Sequence, residues 1–237
     1  MRGDPRLQKA SDLIIMSVRD LQFVRLMDKT EFREYLGEHA PSGSVIESFA
    51  KAFVARNSSA HLLAVLIEEG FVDVNLGFRE DFVNHRIYGA KDRWTLLHLA
   101  AFEDAVDIAR TLLDLGASVD ASSGESYGQT PLHGAVSAEM ADLLIKRGGA
   151  TVDCRDRFGA TPLFRAVVDG VALGDRVARL ALIGRLLEVG ADPSIPRPWP
   201  AGNPLAGTAP LTMTDAISRK TDEYSKKVLG LMKSTSS

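Results

Sequence analysis

Apolar residues recur along this chain at helical spacing, in pairs of short segments that turns separate. Three segments share a threonine followed by a leucine-rich stripe, and they are Thr95–Ala100, Thr130–Ala135 and Thr161–Ala166. Each precedes a second leucine pair that ends in a small-residue turn, and these second segments are Leu112–Ala117, Leu143–Gly148 and Leu186–Ala191. Self-similarity at a fixed period of this length is typical of a stack of helix pairs.

The middle copy shows why these residue types suit a helix pair. Thr130 lies where the first helix begins, and its hydroxyl is placed to accept a hydrogen bond from an amide of the first turn. Pro131 fits the first helical position because its missing N–H has no partner there anyway. The small Ala135 permits close approach of the next helix, and Gly148 with Gly149 is expected to end the second helix.

These motifs resemble the ankyrin repeat. The threonines at 95, 130 and 161 are 35 and 31 residues apart, which brackets the family period of about 33. The resemblance implies an all-α fold, an ankyrin-repeat solenoid in which helix-turn-helix units stack and β-hairpin-like fingers join them. It also implies a surface that holds a partner rather than a catalytic centre.

The chain divides into an N-terminal helical cap at 1–40 and an ankyrin array at 41–237. The array is expected to hold about five repeats, at approximately 43–75, 94–121, 128–153, 159–194 and 211–237, of which the first and last are degenerate. In the cap, Asp28 and Glu31 are expected to begin a short helix that ends near Gly37. An independent binding module is the alternative interpretation of the first 40 residues.

Composition and charge narrow the class of protein. Hydrophobic residues make up 45% and charged residues 25% of the chain, values that are ordinary for a folded domain. The formal net charge of −3 gives no electrostatic reason to expect nucleic acid as a partner. Cys154 is the single cysteine, which excludes an internal disulfide and fits a reducing compartment.

The N-terminal residues contain neither a secretory signal pattern nor an apolar run long enough for a membrane span. We therefore expect a cytoplasmic location, or the host cytosol if the chain is a delivered bacterial effector. We also expect a monomer.

Candidate catalytic and metal chemistry is sparse. His98 and His133 occupy the same repeat position, where the ankyrin family uses histidine to bond neighbouring turns, and Phe164 occupies that position in the third copy. The two histidines are expected about 10 Å apart, too far for joint metal ligation. The sequence contains no nucleophile elbow, phosphate-binding loop or His-Glu-x-x-His helix. We predict no catalytic residue, no metal and no cofactor.

Departures from the minimal repeat indicate where a partner could bind. The segment 76–93 is about ten residues longer than a standard turn and is rich in aromatic and arginine residues, which are over-represented at binding hot spots. The candidate partner-binding residues are Phe82, His85, Arg86 and Tyr88 in this segment, and Tyr127, Arg155 and Arg157 in the shorter fingers. The alternative is that Phe82 and Tyr88 fold back and hold the long loop on the array.

A second departure, at 193–210, contains six prolines and favours polyproline geometry. Its Trp199 is either a plug on the last repeat or an exposed anchor, and the plug is the preferred interpretation. Whether this segment and 76–93 contact a partner stays open from the sequence alone.

Three functional hypotheses follow. The leading one is a protein-protein interaction scaffold or adaptor that binds a macromolecular partner through its concave face and fingers. The alternative is a secreted bacterial effector, or an immunity or inhibitor protein that blocks a cognate enzyme or toxin. The third is a targeting subunit of an enzyme whose catalytic chain is separate. The sequence does not identify the partner.

Overall fold

The computed structural model describes residues 24–39, 43–79, 93–124, 127–169, 176–198, 212–218 and 223–234. Within these ranges the chain forms eleven α-helices and one short antiparallel ribbon. The helices are α1 Lys29–His39, α2 Gly43–Ala55, α3 Ala60–Glu68, α4 Leu96–Phe102, α5 Val106–Asp114, α6 Pro131–Gly134, α7 Ala138–Asp142, α8 Pro162–Asp169, α9 Arg176–Glu188, α10 Met213–Ser218 and α11 Glu223–Ser234. The ribbon pairs β1, Phe78–Arg79, with β2, Arg93–Trp94.

The helices from α2 onward pack as two parallel rows. The first-helix row contains α2, α4, α6, α8 and α10, and each of these contacts the next one in the row. The second-helix row contains α3, α5, α7, α9 and α11, which contact one another in the same order. The predicted all-α solenoid is therefore confirmed, whereas the division of 41–237 into five repeats stays a prediction.

The threonine-led segments form the starts of first-row helices as the sequence predicts. The His98 N–H lies 3.4 Å from the Thr95 hydroxyl, and the Phe164 N–H donates to the Thr161 hydroxyl at 3.2 Å. At Thr130 the predicted hydroxyl cap is replaced, because the hydroxyl bonds the His133 Nδ1 atom at 2.9 Å and the His133 N–H donates to the Thr130 carbonyl at 3.0 Å. Leucines of the same motif fill the space between the two rows, because Leu97, Leu132 and Leu163 are buried. Small residues sit one turn further on, and Ala100, Ala135 and Ala166 are all buried. Their size allows neighbouring helices of the row to approach closely.

Helix α7 continues directly into a π-helical turn at residues 143–147, which the sequence pattern did not predict. In the other two copies a backbone hydrogen bond closes the helix across five residues, from the Ala117 N–H to the Leu112 carbonyl and from Ala191 to Leu186. The equivalent bond joins Ala150 to Leu144, six residues apart, so the π turn accommodates one extra residue. The left-handed glycine that ends this helix is Gly149, with φ +74°, and not Gly148.

Turns that follow the second-row helices are linked by side chains. The Asn75 Oδ1 atom accepts the Ser118 N–H at 2.7 Å. One repeat further on, the Asp120 carboxylate accepts the Thr151 hydroxyl at 2.6 Å and the Thr151 N–H at 3.1 Å. Each bond crosses from one helix pair to the next, so these side chains fix the spacing of the stack.

Helix α1 begins as predicted and ends slightly later. The Asp28 Oδ1 atom accepts the Glu31 N–H at 2.9 Å, and the Glu31 carboxylate accepts the Asp28 N–H at 2.9 Å, which is a reciprocal capping arrangement. The helix continues to His39, two residues beyond Gly37. It packs against α3, with Phe32 buried. Residues 1–23 lie outside the described ranges, so the extent of the cap stays a prediction.

None of the helices in the described ranges combines the length and the apolar character that a bilayer crossing needs.

Candidate functional site

Four loops lie next to one another along one edge of the stack, and we name them fingers. The described parts of finger 1 are residues 77–79 and 93–94, and those of finger 2 are residues 121–124 and 127–129. Finger 3 comprises residues 154–160, and finger 4 comprises residues 195–198. Together they form the finger edge.

Backbone hydrogen bonds join successive fingers. The Arg93 N–H donates to the Ser123 carbonyl at 2.6 Å, which links finger 1 to finger 2. The Arg157 N–H donates to the Tyr127 carbonyl at 2.8 Å, which links finger 2 to finger 3. Finger 4 then packs on finger 3, because a Cβ atom at Gly159 would lie only 2.5 Å from the Pro198 ring. The fingers therefore hold one another in a fixed arrangement.

Buried histidines anchor the fingers to the first-helix row. The His98 Nδ1 atom accepts the Thr95 N–H at 3.2 Å, so its Nε2–H is the donor to the Gln129 carbonyl of finger 2 at 2.9 Å. His133 repeats this geometry, and its Nε2–H donates to the Ala160 carbonyl of finger 3 at 3.0 Å. These bonds join neighbouring turns, as the family resemblance implies.

Burial keeps both imidazoles neutral. It lowers the pKa of His98 to about 4, and it also lowers the pKa of His133. Each ring already has both nitrogens in hydrogen bonds, which leaves none for a metal ion. Across the described ranges, no three histidine, cysteine or acidic side chains converge in the way that a metal site requires.

The third copy uses a different anchor, since Phe164 replaces the histidine. The Arg197 guanidinium of finger 4 lies 5.6 Å from the Phe164 ring centroid and 5.9 Å from that of Phe158 in finger 3. The Tyr127 ring of finger 2 contacts the Phe158 ring edge to face, with centroids 5.3 Å apart. Aromatic and guanidinium groups thus continue across fingers 2, 3 and 4.

Finger 3 is built around a buried carboxylate. The Asp156 Oδ1 atom accepts the Phe158 N–H at 2.9 Å and the Ala160 N–H at 2.8 Å. Its Oδ2 atom forms an ion pair with the Arg165 Nη2 atom of α8 at 2.7 Å. The Asp156 side chain is fully buried and the Arg165 side chain is 16% exposed, so water hardly screens this pair. Finger 3 is consequently rigid from its base.

The tip of finger 3 projects charge into solvent. Arg155 and Arg157 are both exposed, and neither forms an ion pair with any described residue. Arg93 of finger 1 is also exposed and forms no ion pair with any described residue. Asp153 lies near Arg155 but receives the Asp192 N–H at 3.1 Å. The finger edge therefore carries cationic groups that are available to a ligand.

Two arginines of the second-helix row form ion pairs with carboxylates of neighbouring helices. Arg185 of α9 forms an ion pair with Asp142 of α7 at 2.6 Å. Arg147 similarly forms an ion pair with Asp114, at the end of α5. These two arginines are therefore neutralised locally, whereas Arg110 of α5 is exposed and, like the arginines of the finger edge, forms no ion pair with a described residue.

The structure brings together three of the seven residues predicted to bind a partner. Tyr127 and Arg157 lie on adjacent fingers joined by their own backbone atoms, and Arg155 lies two residues from Arg157. Phe82, His85, Arg86 and Tyr88 fall outside the described residues, as does Trp199. For the loop that carries the first four, the structure describes only its stem, where Phe78 pairs with Trp94.

Sequence reasoning placed Asp156 and Phe158 in finger 3, but it missed Arg197 as part of this edge and the contacts through which Asp156 and Phe158 hold it. The replacement of histidine by Phe164 was a usable signal, because it removes the usual anchor and requires another one. Asp156 carried no such signal, since a single acidic residue in a turn is ordinary.

Cys154 lies at the start of finger 3 and is half-buried. Burial raises the pKa of its thiol, and the nearby carboxylates of Asp120 and Asp156 raise it further. The thiol is therefore protonated at neutral pH, which is typical of an unreactive cysteine.

Comparison with known proteins places the motif in a family. The ankyrin repeat family model matches residues 92–123 and 127–157. The human neurogenic locus notch homolog protein 1 is 40% identical over 95 residues, which cover 39% of this chain and 3% of that protein. The Danio rerio and Xenopus tropicalis proteins of the same name are each 33% identical, over 121 and 124 residues, which cover 48% and 49% of this chain. The match spans only 5% and 4% of those two proteins, so this chain corresponds to a small part of each relative.

Proposed function

We propose that this chain, which is an ankyrin repeat protein, binds a partner protein through its finger edge. The helix pairs form the apolar core, and the finger tips are not needed for that core. The ankyrin repeats of this chain indicate that its general function is protein-protein interaction. Our proposal adds which surface of this chain binds, namely the finger edge, and that the partner is a protein.

The observation that carries the proposal is the construction of finger 3. Its base is fixed by Asp156, Arg165 and the His133 anchor, while its tip leaves Arg155 and Arg157 exposed and unpaired. A surface that is already ordered loses little conformational freedom on binding, so more of the contact energy appears as affinity. A rigid base beneath two unpaired arginines suits a loop that holds contact residues in position for a partner.

The residues of the surface suit protein recognition. Arginine offers a planar fork of donors, and tyrosine offers a large contact area at low entropic cost. We propose Tyr127, Arg155 and Arg157 as contact residues of the described part. Phe82, His85, Arg86 and Tyr88 remain proposed contacts on the sequence argument alone.

The proposal also covers catalysis, the compartment and the oligomeric state. We assign no catalytic role, because ankyrin arrays are generally interaction modules. The single cysteine fits a reducing compartment, so we place the binding in the cytoplasm, with the chain acting as a monomer.

Photo-crosslinking tests which side of the stack meets the partner. A photoreactive residue is placed at Arg155 of finger 3 and, in a separate variant, at Arg110 on α5 of the second-helix row. Both side chains are exposed, so neither replacement disturbs the core. In extract of the native cell, we expect an adduct of defined mass from position 155 only. Adding Arg157→Ala to the position 155 variant is expected to reduce that adduct several-fold.

The melting curve of each variant serves as the control, and it should match that of the unmodified chain. An adduct of equal yield from positions 155 and 110, or from position 110 alone, would contradict the proposed surface.

A further inference from the structure

We infer that the finger edge receives an acidic, extended segment of the partner protein. The inference rests on the proposed function and deepens it, because it names the chemistry that fills the surface. Three observations carry it: the local charge, the lack of ion pairs at the tips, and the aromatic group between them.

The described side chains of the finger edge are mainly cationic, whereas the whole chain has a formal net charge of −3. They include four arginines, which are Arg93, Arg155, Arg157 and Arg197. The one acidic side chain among them is Asp156, which is buried and neutralised by Arg165. The described part of the edge therefore carries a local excess of positive charge. Such a patch attracts an acidic partner and steers its approach.

The exposed tips lack intramolecular partners for this charge. Arg93 and Arg157 are exposed and without an ion pair among the described residues, whereas Arg147 and Arg185 of the second-helix row are paired. An acidic ligand at the tips would thus form new charge-assisted hydrogen bonds and would not have to displace existing ones.

An aromatic group lies between the two cationic tips. Arg93 belongs to finger 1 and Arg157 to finger 3, and Tyr127 of finger 2 lies between them in the order of the fingers. The Tyr127 ring is half-buried and contacts the Phe158 ring edge to face. The order cation, aromatic ring, cation fits a segment with acidic residues on either side of an apolar one.

The spacing of the repeats sets the length of the segment. Arg93 is bonded to Ser123, Ser123 to Gln129, and Tyr127 to Arg157, all through backbone hydrogen bonds. Hydrogen-bonded chains lie about 4.8 Å apart, so these three steps place the backbones of Arg93 and Arg157 about 15 Å apart. An extended chain advances about 3.3 Å per residue, and every second side chain lies on the same face. Two carboxylates that reach Arg93 and Arg157 together should therefore be about four residues apart, with the apolar residue midway between them on the same face.

Fluorescence polarisation with synthetic peptides tests this inference. The probes are labelled nine-residue peptides of serine and glycine with a central leucine and two glutamates, whose separation varies from about two to eight residues across the set. Each peptide has a counterpart with glutamine in place of glutamate. We expect the tightest binding at a separation of about four, at least about tenfold tighter than that of the glutamine counterpart, and weakened by added salt.

Two charge-matched variants locate the binding. The double variant Arg93→Gln and Arg157→Gln should weaken the best peptide at least about tenfold, whereas Arg110→Gln on the opposite row should change its affinity less than about twofold. All three side chains are exposed, and unchanged melting curves will show that the fold is intact.

Several outcomes would overturn the inference. One is that no glutamate peptide binds more tightly than its glutamine counterpart. Another is that Arg110→Gln weakens binding as much as the double variant, which would indicate general charge attraction. A third is that labelled single-stranded DNA binds more tightly than every peptide and loses affinity in the double variant, which would make nucleic acid the ligand. If these outcomes accompany a crosslink from position 155, the proposed function stands and only the acidic segment fails.

Discussion

At the residue scale, the same repeat position shows two solutions to one structural need. His98 and His133 each donate an Nε2–H to a carbonyl of the next finger. Phe164 has no donor, and the Arg197 guanidinium stacks on its ring instead. The finger is anchored in both cases, by a hydrogen bond in the first and by a cation–π contact in the second.

The buried histidines predict a loss of stability in acid. Because the pKa of His98 is lowered from 6.5 to about 4, the unfolded chain binds a proton below pH 6.5 that the folded chain rejects. Stability should fall as the pH drops from about 6.5 towards 4, and His98 should contribute about 2 kcal/mol of this loss between pH 7 and pH 5. Urea unfolding at the two pH values measures the change.

The control for this prediction is His98→Phe, which copies the residue at the equivalent third position. It removes the titrating group, so the difference in unfolding free energy between pH 7 and pH 5 should shrink by about 2 kcal/mol whatever its absolute stability. An unchanged pH dependence would show that His98 does not remain neutral by burial.

At the element scale, finger 3 acts as one unit because a single carboxylate organises it. Asp156 binds two amides of its own finger and the guanidinium of Arg165 on α8. Motif matching could predict the helix pairs, because each threonine, leucine and alanine acts through its nearest turns. It could not predict the Asp156–Arg165 pair, because these two residues are nine positions apart and no repeated spacing signals their contact.

Removal of the Asp156 carboxylate should therefore destabilise the fold more than removal of an exposed one. Asp156→Ala takes the carboxylate partner from a mostly buried guanidinium and from two amides, and we expect a loss of about 3–5 kcal/mol. Asp120→Ala, whose carboxylate binds Thr151 at an exposed turn, should cost about 1 kcal/mol. Urea unfolding at neutral pH compares the two, and equal losses would contradict the special role of finger 3.

At the scale of the whole molecule, the helix rows stabilise the fold and the finger edge carries the proposed contact residues. The two helix rows share a continuous apolar core, and ion pairs such as Arg185–Asp142 join neighbouring helices of the second row. The finger edge has rigid bases and unpaired cationic tips. Sequence patterns predicted the rows, because their periodicity is repeated. They placed Tyr127, Arg155 and Arg157 on fingers, but the ladder of Tyr127, Phe158 and Arg197 depends on three-dimensional contacts between repeats that no local spacing reveals.

The most direct test of the central claim is the affinity of the crosslinked partner, once purified, for two variants of this chain. Isothermal titration should show that Arg155→Ala with Arg157→Ala weakens binding at least about tenfold, or about 1.4 kcal/mol, while Arg110→Ala leaves it within about twofold. Wild-type affinity in the finger variant, with an intact melting curve, would contradict binding at the finger edge.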